Sequence, residues 1–141
     1  MKVTETPIQV RYQETDQMGV VYHANYLVWF EIGRTAFIEA LGFQYHEIES
    51  QGIVSPVVDA DIHFAKPIRY GEEVRVKTWI KDYDGLRVTY GYAILNEQDE
   101  ATVTGSTKHV IVKKANFRPV SIRRAYPDWH HAYVQAMEAD V

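Results

Sequence analysis

Asp16, Gly19 and His23 stand a few residues apart, directly ahead of the most apolar stretch of the chain, Tyr26 to Leu41. That stretch predicts a helix from Asn25 to Leu41, with its N-terminus aimed at the preceding loop. The first turn of a helix carries backbone N–H groups without partners in the chain, and its peptide dipoles add partial positive charge. Such donors suit an anion, or a carbonyl oxygen that gains negative charge during reaction. With the Asp16 carboxylate held across a short loop, this is the minimum needed to hydrolyse an activated acyl group. Gly19 lets the loop turn sharply or lets a substrate approach the backbone. Asn25 is the expected N-cap, and Gly42 the expected residue just past the helix end.

The helix has little polar surface. Its clearest polar stripe is Glu31, Thr35 and Glu39, one narrow line at helical spacing. Glu31 and Arg34 sit mid-segment and the run is short, so it does not read as a membrane span. It must be wrapped by something, and the rest of the chain supplies strands. Alternation predicts a first strand over Thr6 to Tyr12, whose end delivers the Asp16 loop. After a short amphipathic turn at Gln44 to Gln51, the period changes to two. Val58, Ala60, Ile62 and Phe64 share one face, and Pro67 ends or bulges that strand. Val74, Val76, Thr78 and Ile80 form the next inward face, then Leu86, Val88, Tyr90, Tyr92 and Ile94. Between these, Tyr83-Asp84-Gly85-Leu86 predicts a tight type I′ hairpin. A polar loop, Asn96 to Glu100, precedes a last strand over Val103 to Val112, with Gly105 and Thr107 on one side. A meander with one long early helix is α+β. The tail, 121–141, predicts a short helix with Trp129 and Tyr133 packed down.

At 141 residues the chain reads as a single domain, residues 1–141, with its core at about 5–113. Composition is ordinary globular, 46% apolar and 24% charged. There is no cysteine, which excludes disulfides, thiolate catalysis and thiolate metal sites. The first residues lack an apolar signal region, so the cytoplasm is the expected compartment. A net charge of −4 argues against broad nucleic-acid binding, while leaving room for a local basic patch. The adjacent His130 and His131 would diverge on a helix, and His63 and His109 fall on different strands, so no metal site is expected.

The run Tyr12-x-x-x-Asp16-x-x-Gly19-Val20-Val21-Tyr22-His23-Ala24-Asn25-Tyr26 resembles the signature of 4-hydroxybenzoyl-CoA thioesterase-type acyl-CoA thioesterases, which have the hot-dog fold. Phe64-Ala65-Lys66-Pro67-Ile68-Arg69-Tyr70-Gly71-Glu72 resembles that family's second strand and following turn. The blocks lie at the family's separation, and the element order matches over roughly 5–113. The resemblance implies an antiparallel five-stranded sheet wrapped around a long central helix, paired into homodimers and by family habit into tetramers. It implies an acyl-CoA substrate, with coenzyme A part of that substrate and no cofactor.

By the same resemblance Asp16 attacks the thioester or activates a water. The backbone N–H at His23 meets the thioester oxygen, the His23 side chain helps orient substrate, and Tyr12 matches a tyrosine beside the site. Gly19, Val20, Tyr22 and Asn25 lie along the substrate, while Lys66, Arg69 and Arg87, with Lys113 and Lys114, offer cations for coenzyme A phosphates. Plainer readings stand beside these. Asp16 could cap a turn, His23 could be a hydrogen-bonded structural residue, Tyr12 could fill the sheet end, and Glu31 could be a polar interface residue. Rival functions are hydrolysis of acyl groups carried on acyl carrier protein, a hot-dog dehydratase, and a non-catalytic acyl-ligand sensor. The paired histidine and helix acid of a dehydratase are not clearly reproduced here, and a sensor has no need of Asp16.

Overall fold

A computed structural model describes residues 1–138. Its helices are α1 (Asn25–Ala40), α2 (Tyr45–Ser50), α3 (Ile122–Ala125) and α4 (Pro127–Glu138). Its strands are β1 (Thr4–Gln9), β2 (Ile53–Val54), β3 (Val57–Phe64), β4 (Glu73–Tyr83), β5 (Arg87–Leu95), β6 (Ala101–Val110) and β7 (Val112–Lys113). Five strands make one sheet in the order β1-β4-β5-β6-β3, every neighbouring pair antiparallel. This is the expected α+β arrangement, with the long helix laid across the sheet.

The alternating residues do what their period demands. Val74, Val76, Thr78 and Ile80 of β4, and Val88, Tyr90, Tyr92 and Ile94 of β5, are all buried. Against them α1 sets Tyr26, Trp29, Phe30, Gly33 and Phe37, a stripe at helical spacing. Phe30 stacks on Tyr92 with ring centroids 4.3 Å apart. That ring lies on Gly105 of β6, where an added Cβ would stand 2.8 Å from Phe30 and 2.4 Å from the Asp61 carbonyl oxygen. Gly105→Ala must therefore push either the central helix or a neighbouring strand. We expect it to destabilise the fold by about 1–3 kcal/mol in denaturant titration, and an unchanged midpoint would contradict this packing.

The first strand ends at Gln9, and Tyr12 falls in a separate 3₁₀ turn, Tyr12–Glu14. Tyr12 is 74% exposed, so it does not fill the sheet end. Asn25 is not the N-cap. It is the first helical residue, and its side chain donates to the Glu14 carbonyl at 2.8 Å. The helix ends as expected, with Phe43 N–H returning to the Ile38 carbonyl. The β4–β5 turn is not type I′, which needs two central residues at positive φ; only Gly85 has one. Instead Asp84 Oδ1 accepts the N–H groups of both Leu86 and Arg87, so a side chain closes the turn. The tail forms two helices, because α3 stops at Tyr126 and Pro127 opens α4. Trp129 and Tyr133 are packed down as expected, and Tyr133 meets the Tyr90 hydroxyl at 2.7 Å. The last residues of the expected tail, 139–141, lie outside the described residues.

The sheet does not wrap the whole helix. Leu27, Val28 and Ile32 on the far side of α1 are each more than 40% exposed. The edge strand β3 also differs from expectation: Val58, Ala60 and Phe64 are exposed, and Ile62 alone of that face is partly buried. The reason is topological. β3 pairs only with β6, while α1 lies chiefly over β1, β4 and β5. No helix among the described residues is long and apolar enough to cross a membrane.

Candidate active site

The loop between the 3₁₀ turn and α1 is tied into a fixed shape. Thr15 and Val21 form a β-bridge, Asp16 N–H donates to the Val20 carbonyl at 2.9 Å, and Gly19 N–H returns to the Asp16 carbonyl at 3.0 Å. Gly19 has φ +80°, a left-handed value that the tight return requires. The Val21 N–H reaches across to the Ile68 carbonyl at 2.8 Å, binding the loop to the segment after β3. In this loop Asp16 Oδ1 accepts the Met18 N–H at 2.8 Å. Its Oδ2 takes no hydrogen bond from the described residues.

Asp16 lines a cleft of about 290 Å³ with Val20, His23, Tyr26, Phe64 and Lys66 among its walls. A larger cleft, about 1020 Å³, runs between Pro7–Val10 and Tyr70–Arg75, but no residue of the Asp16 loop or of α1 lines it. Across from Asp16 is the head of α1. Tyr22 N–H is taken by the Glu14 carbonyl and Asn25 N–H by the Tyr22 carbonyl, whereas His23 N–H donates to no described group. An unpaired donor beside a helix N-terminus is what a developing oxyanion needs.

Tyr26 and Phe64 were not among the residues the sequence singled out. Tyr26 is buried, and burial pushes its hydroxyl above the ordinary tyrosine range; the Ile68 N–H works against this, and the carboxylates of Glu72 and Asp16 add to it. The phenol therefore stays protonated close enough to Asp16 to feel its charge. Phe64 lies 5.7 Å from the Tyr26 ring and 6.4 Å from that of His23, while Tyr22 sits 4.4 Å from His23. The mouth of the cleft is thus aromatic. Hydrophobic patterning hid the part of Tyr26 and Phe64, which read as helix core and strand filler, whereas Tyr22 and His23 were expected at the site.

A model of the thioesterase-like superfamily matches residues 10–130, which takes in the Asp16 loop, α1 and the whole sheet beyond β1. The chain belongs to this superfamily. YneP of Bacillus subtilis, provisionally named an acyl-CoA thioesterase, is 52% identical over 136 residues, 96% of this chain and 99% of that protein. A solved DHNA-CoA thioesterase from Staphylococcus aureus superposes with a TM-score of 0.93 at 47% identity, covering 96% of this chain and 91% of that one. A 1,4-dihydroxy-2-naphthoyl-CoA hydrolase from Thermosynechococcus vestitus is 28% identical over 121 residues, 85% of this chain and 83% of the relative. The hot-dog fold expected from the two sequence blocks is the fold of this superfamily member.

Not every expected residue converges. Asp16, Val20, His23 and Lys66 meet in the cleft, with Gly19, Tyr22 and Asn25 in the loop and helix start that shape it. Lys66 is ion-paired with Glu100. Tyr12 instead packs edge-on against Tyr70, ring centroids 5.7 Å apart, outside the cleft walls. Arg69 is exposed in the turn after Ile68. Arg87 opens β5 opposite Val110, whereas Phe64 pairs with Val103, so Arg87 lies at the other end of the sheet. Within one chain it does not reach Asp16.

Proposed function

We propose that the protein hydrolyses the thioester of acyl-CoA, releasing a carboxylic acid and free coenzyme A. The observation that carries this reading is the pairing of an unoccupied Asp16 oxygen with the free His23 N–H in one cleft of a superfamily member. With the thioester carbonyl oxygen on that N–H, Asp16 either attacks the carbonyl carbon and expels the thiolate, leaving an anhydride that water then hydrolyses, or takes a proton from a water that attacks the carbon and expels the thiolate. Both routes build negative charge on the carbonyl oxygen, where the N–H and the helix dipole stabilise it. The His23 ring, Tyr22, Tyr26 and Phe64 favour a flat, aromatic acyl group, the kind borne by the substrates for which two of the relatives are named.

The reading includes a second copy of the chain. Leu27, Val28 and Ile32 on α1, with Val57, Val58 and Phe64 on an edge strand, make an apolar surface beside unpaired backbone groups. Antiparallel pairing of two β3 edges covers it, and lays the Arg87 end of one sheet beside the Asp16 end of the other. Arg87 then becomes available to a coenzyme A phosphate, alongside Lys66 and Arg69. Two such dimers form the tetramer, and the cytoplasm is the compartment where acyl-CoA is met.

A second reading has one observation in its favour. Lys108, Lys113, Lys114, Arg118, Arg123 and Arg124 fall in a segment, 101–127, that holds no carboxylate residue. An acidic acyl carrier protein would complement a segment of that charge. Thiol release from aromatic and aliphatic acyl-CoAs and from acylated carrier protein tests both readings, and a thiol-reactive dye reports only product because the chain has no cysteine. We expect kcat/KM for aromatic acyl-CoA to exceed that for aliphatic acyl-CoA by about tenfold or more. A preference for the carrier protein would favour the second reading, and turnover of no thioester would overturn both.

A further inference from the structure

Glu14 is an odd residue to find beneath a catalytic loop. It is 5% exposed, and a buried carboxylate carries a desolvation cost that an apolar side chain would avoid. All three of its oxygens are in use. Oε1 accepts the Arg11 backbone N–H at 2.7 Å and lies 3.5 Å from the Arg11 guanidinium. Oε2 accepts the indole N–H of Trp29, itself fully buried in the second turn of α1, at 2.8 Å. The backbone carbonyl accepts the Tyr22 N–H at 2.9 Å and the Asn25 side-chain N–H at 2.8 Å. Burial raises the carboxyl's affinity for a proton, but the Arg11 and Trp29 donors outweigh it and hold the group below the usual glutamate range.

These partners are the parts of the site that must keep register. Asp16 follows Glu14 by two residues, and its loop closes immediately above the Thr15–Val21 bridge. The His23 N–H follows Tyr22, which the Glu14 carbonyl holds. Trp29 and Asn25 are the helix whose N-terminus faces the reaction. We propose that Glu14 is a positioning residue for thioester hydrolysis, its carboxylate clamping the Asp16 loop to Trp29 so that carboxylate and oxyanion donor stay in register. It lies beneath the loop and does not line the cleft, so it acts through Asp16 and His23. Misplacement of reacting groups by about 1 Å costs about 100-fold in rate, which is the scale at stake.

The inference rests on the acyl-CoA reading, so wild-type turnover is measured first. Loss of that turnover defeats the function, whereas the clamp is judged on ratios among variants and on a measurement without substrate. In Glu14→Gln one oxygen becomes an NH₂, which opposes the N–H of either Arg11 or Trp29. We expect kcat to fall about 10- to 100-fold while KM stays within about threefold. Trp29→Phe alone loses the clamp bond and should lower kcat by a smaller factor. The double variant removes the conflict between donors, so its kcat should exceed that of Glu14→Gln. Hydrogen exchange of the 15–22 amides should quicken in Glu14→Gln without substrate.

Wild-type kcat in folded Glu14→Gln would reduce the residue to a structural role and overturn the proposal. So would a double variant whose loss equals the product of the single losses. If Glu14→Gln does not fold, Trp29→Phe decides: unchanged kcat and unchanged 15–22 exchange overturn the clamp, and lowered kcat at constant KM with faster exchange supports it.

Discussion

Asp16→Asn is expected to lower kcat on acyl-CoA by about three orders of magnitude, with KM changed less than about threefold. The substitution is unusually clean here. Asp16 Oδ1 is already spent on the Met18 N–H, and an asparagine oxygen can accept that same bond. The loop is held besides by the Asp16 N–H to Val20, the Gly19 return and the Val21 link to Ile68, none of which involves the carboxylate. The variant therefore keeps the cleft and loses the charge at Oδ2, the oxygen proposed as nucleophile or proton acceptor. Steady-state thiol release gives kcat and KM, and calorimetric binding of a non-hydrolysable acyl-CoA analogue checks that the cleft still fills. Intact binding with collapsed turnover separates an enzyme from an acyl-ligand sensor. Retained turnover would leave the superfamily membership standing and remove Asp16 from the mechanism.

The parts of this site that the sequence makes legible are contiguous ones. Asp16, Gly19, Val20 and His23 lie in one short run before α1, and local chemistry alone ties a turn-forming glycine to a carboxylate and a helix start. Tyr26 and Phe64 were not legible as a pair, because their meeting depends on how the end of β3 lies against the first turn of α1. Asn25 failed as an N-cap for a related reason: a tertiary acceptor, the Glu14 carbonyl, captured its side chain. At the β4–β5 turn the Asp-Gly pair suggested a backbone solution, and the Asp84 side chain supplied another. The face of β3 was read correctly as apolar, yet periodicity says which residues share a face and not what covers it. Arg87 makes the same point at longer range, since its distance from Asp16 follows from strand register.

His109 leads to the second large effect, one on stability. It was expected on a strand but with no role, and it is fully buried on β6. Its Nδ1 is 2.9 Å from the Ser55 carbonyl oxygen, which can only accept, so the proton sits on Nδ1. Nε2 is then a lone pair, accepting the Thr107 hydroxyl at 2.9 Å and facing Arg34 Nη1 at 3.3 Å. The Tyr92 hydroxyl completes the chain at 2.7 Å from Thr107 Oγ1. A second proton on the ring would be buried and would point at a guanidinium. Burial and, to a lesser degree, Arg34 push the His109 pKa down to about 4, although the Ser55 carbonyl pulls the other way.

Between that value and the ordinary 6.5, the unfolded chain binds a proton that the folded chain refuses. Stability therefore rises with pH across this window. The contribution of neutral His109 is complete above about pH 6.5 and is lost as pH falls to about 4, a difference of about 3 kcal/mol. Depressed carboxylates such as Glu14 and Asp84 also lose stability on acidification, but only at and below the ordinary carboxylate range. Denaturant titrations of wild type and His109→Gln, at fixed protein concentration from pH 7.5 to 4, isolate the histidine, because every other group cancels in the difference. The variant should be the less stable at pH 7.5, and the gap should close by about 3 kcal/mol on acidification. A gap independent of pH would mean that His109 takes up its proton as readily in the folded protein as in the unfolded chain, and the Thr107 and Tyr92 hydroxyl bonds would have to reverse as it does so.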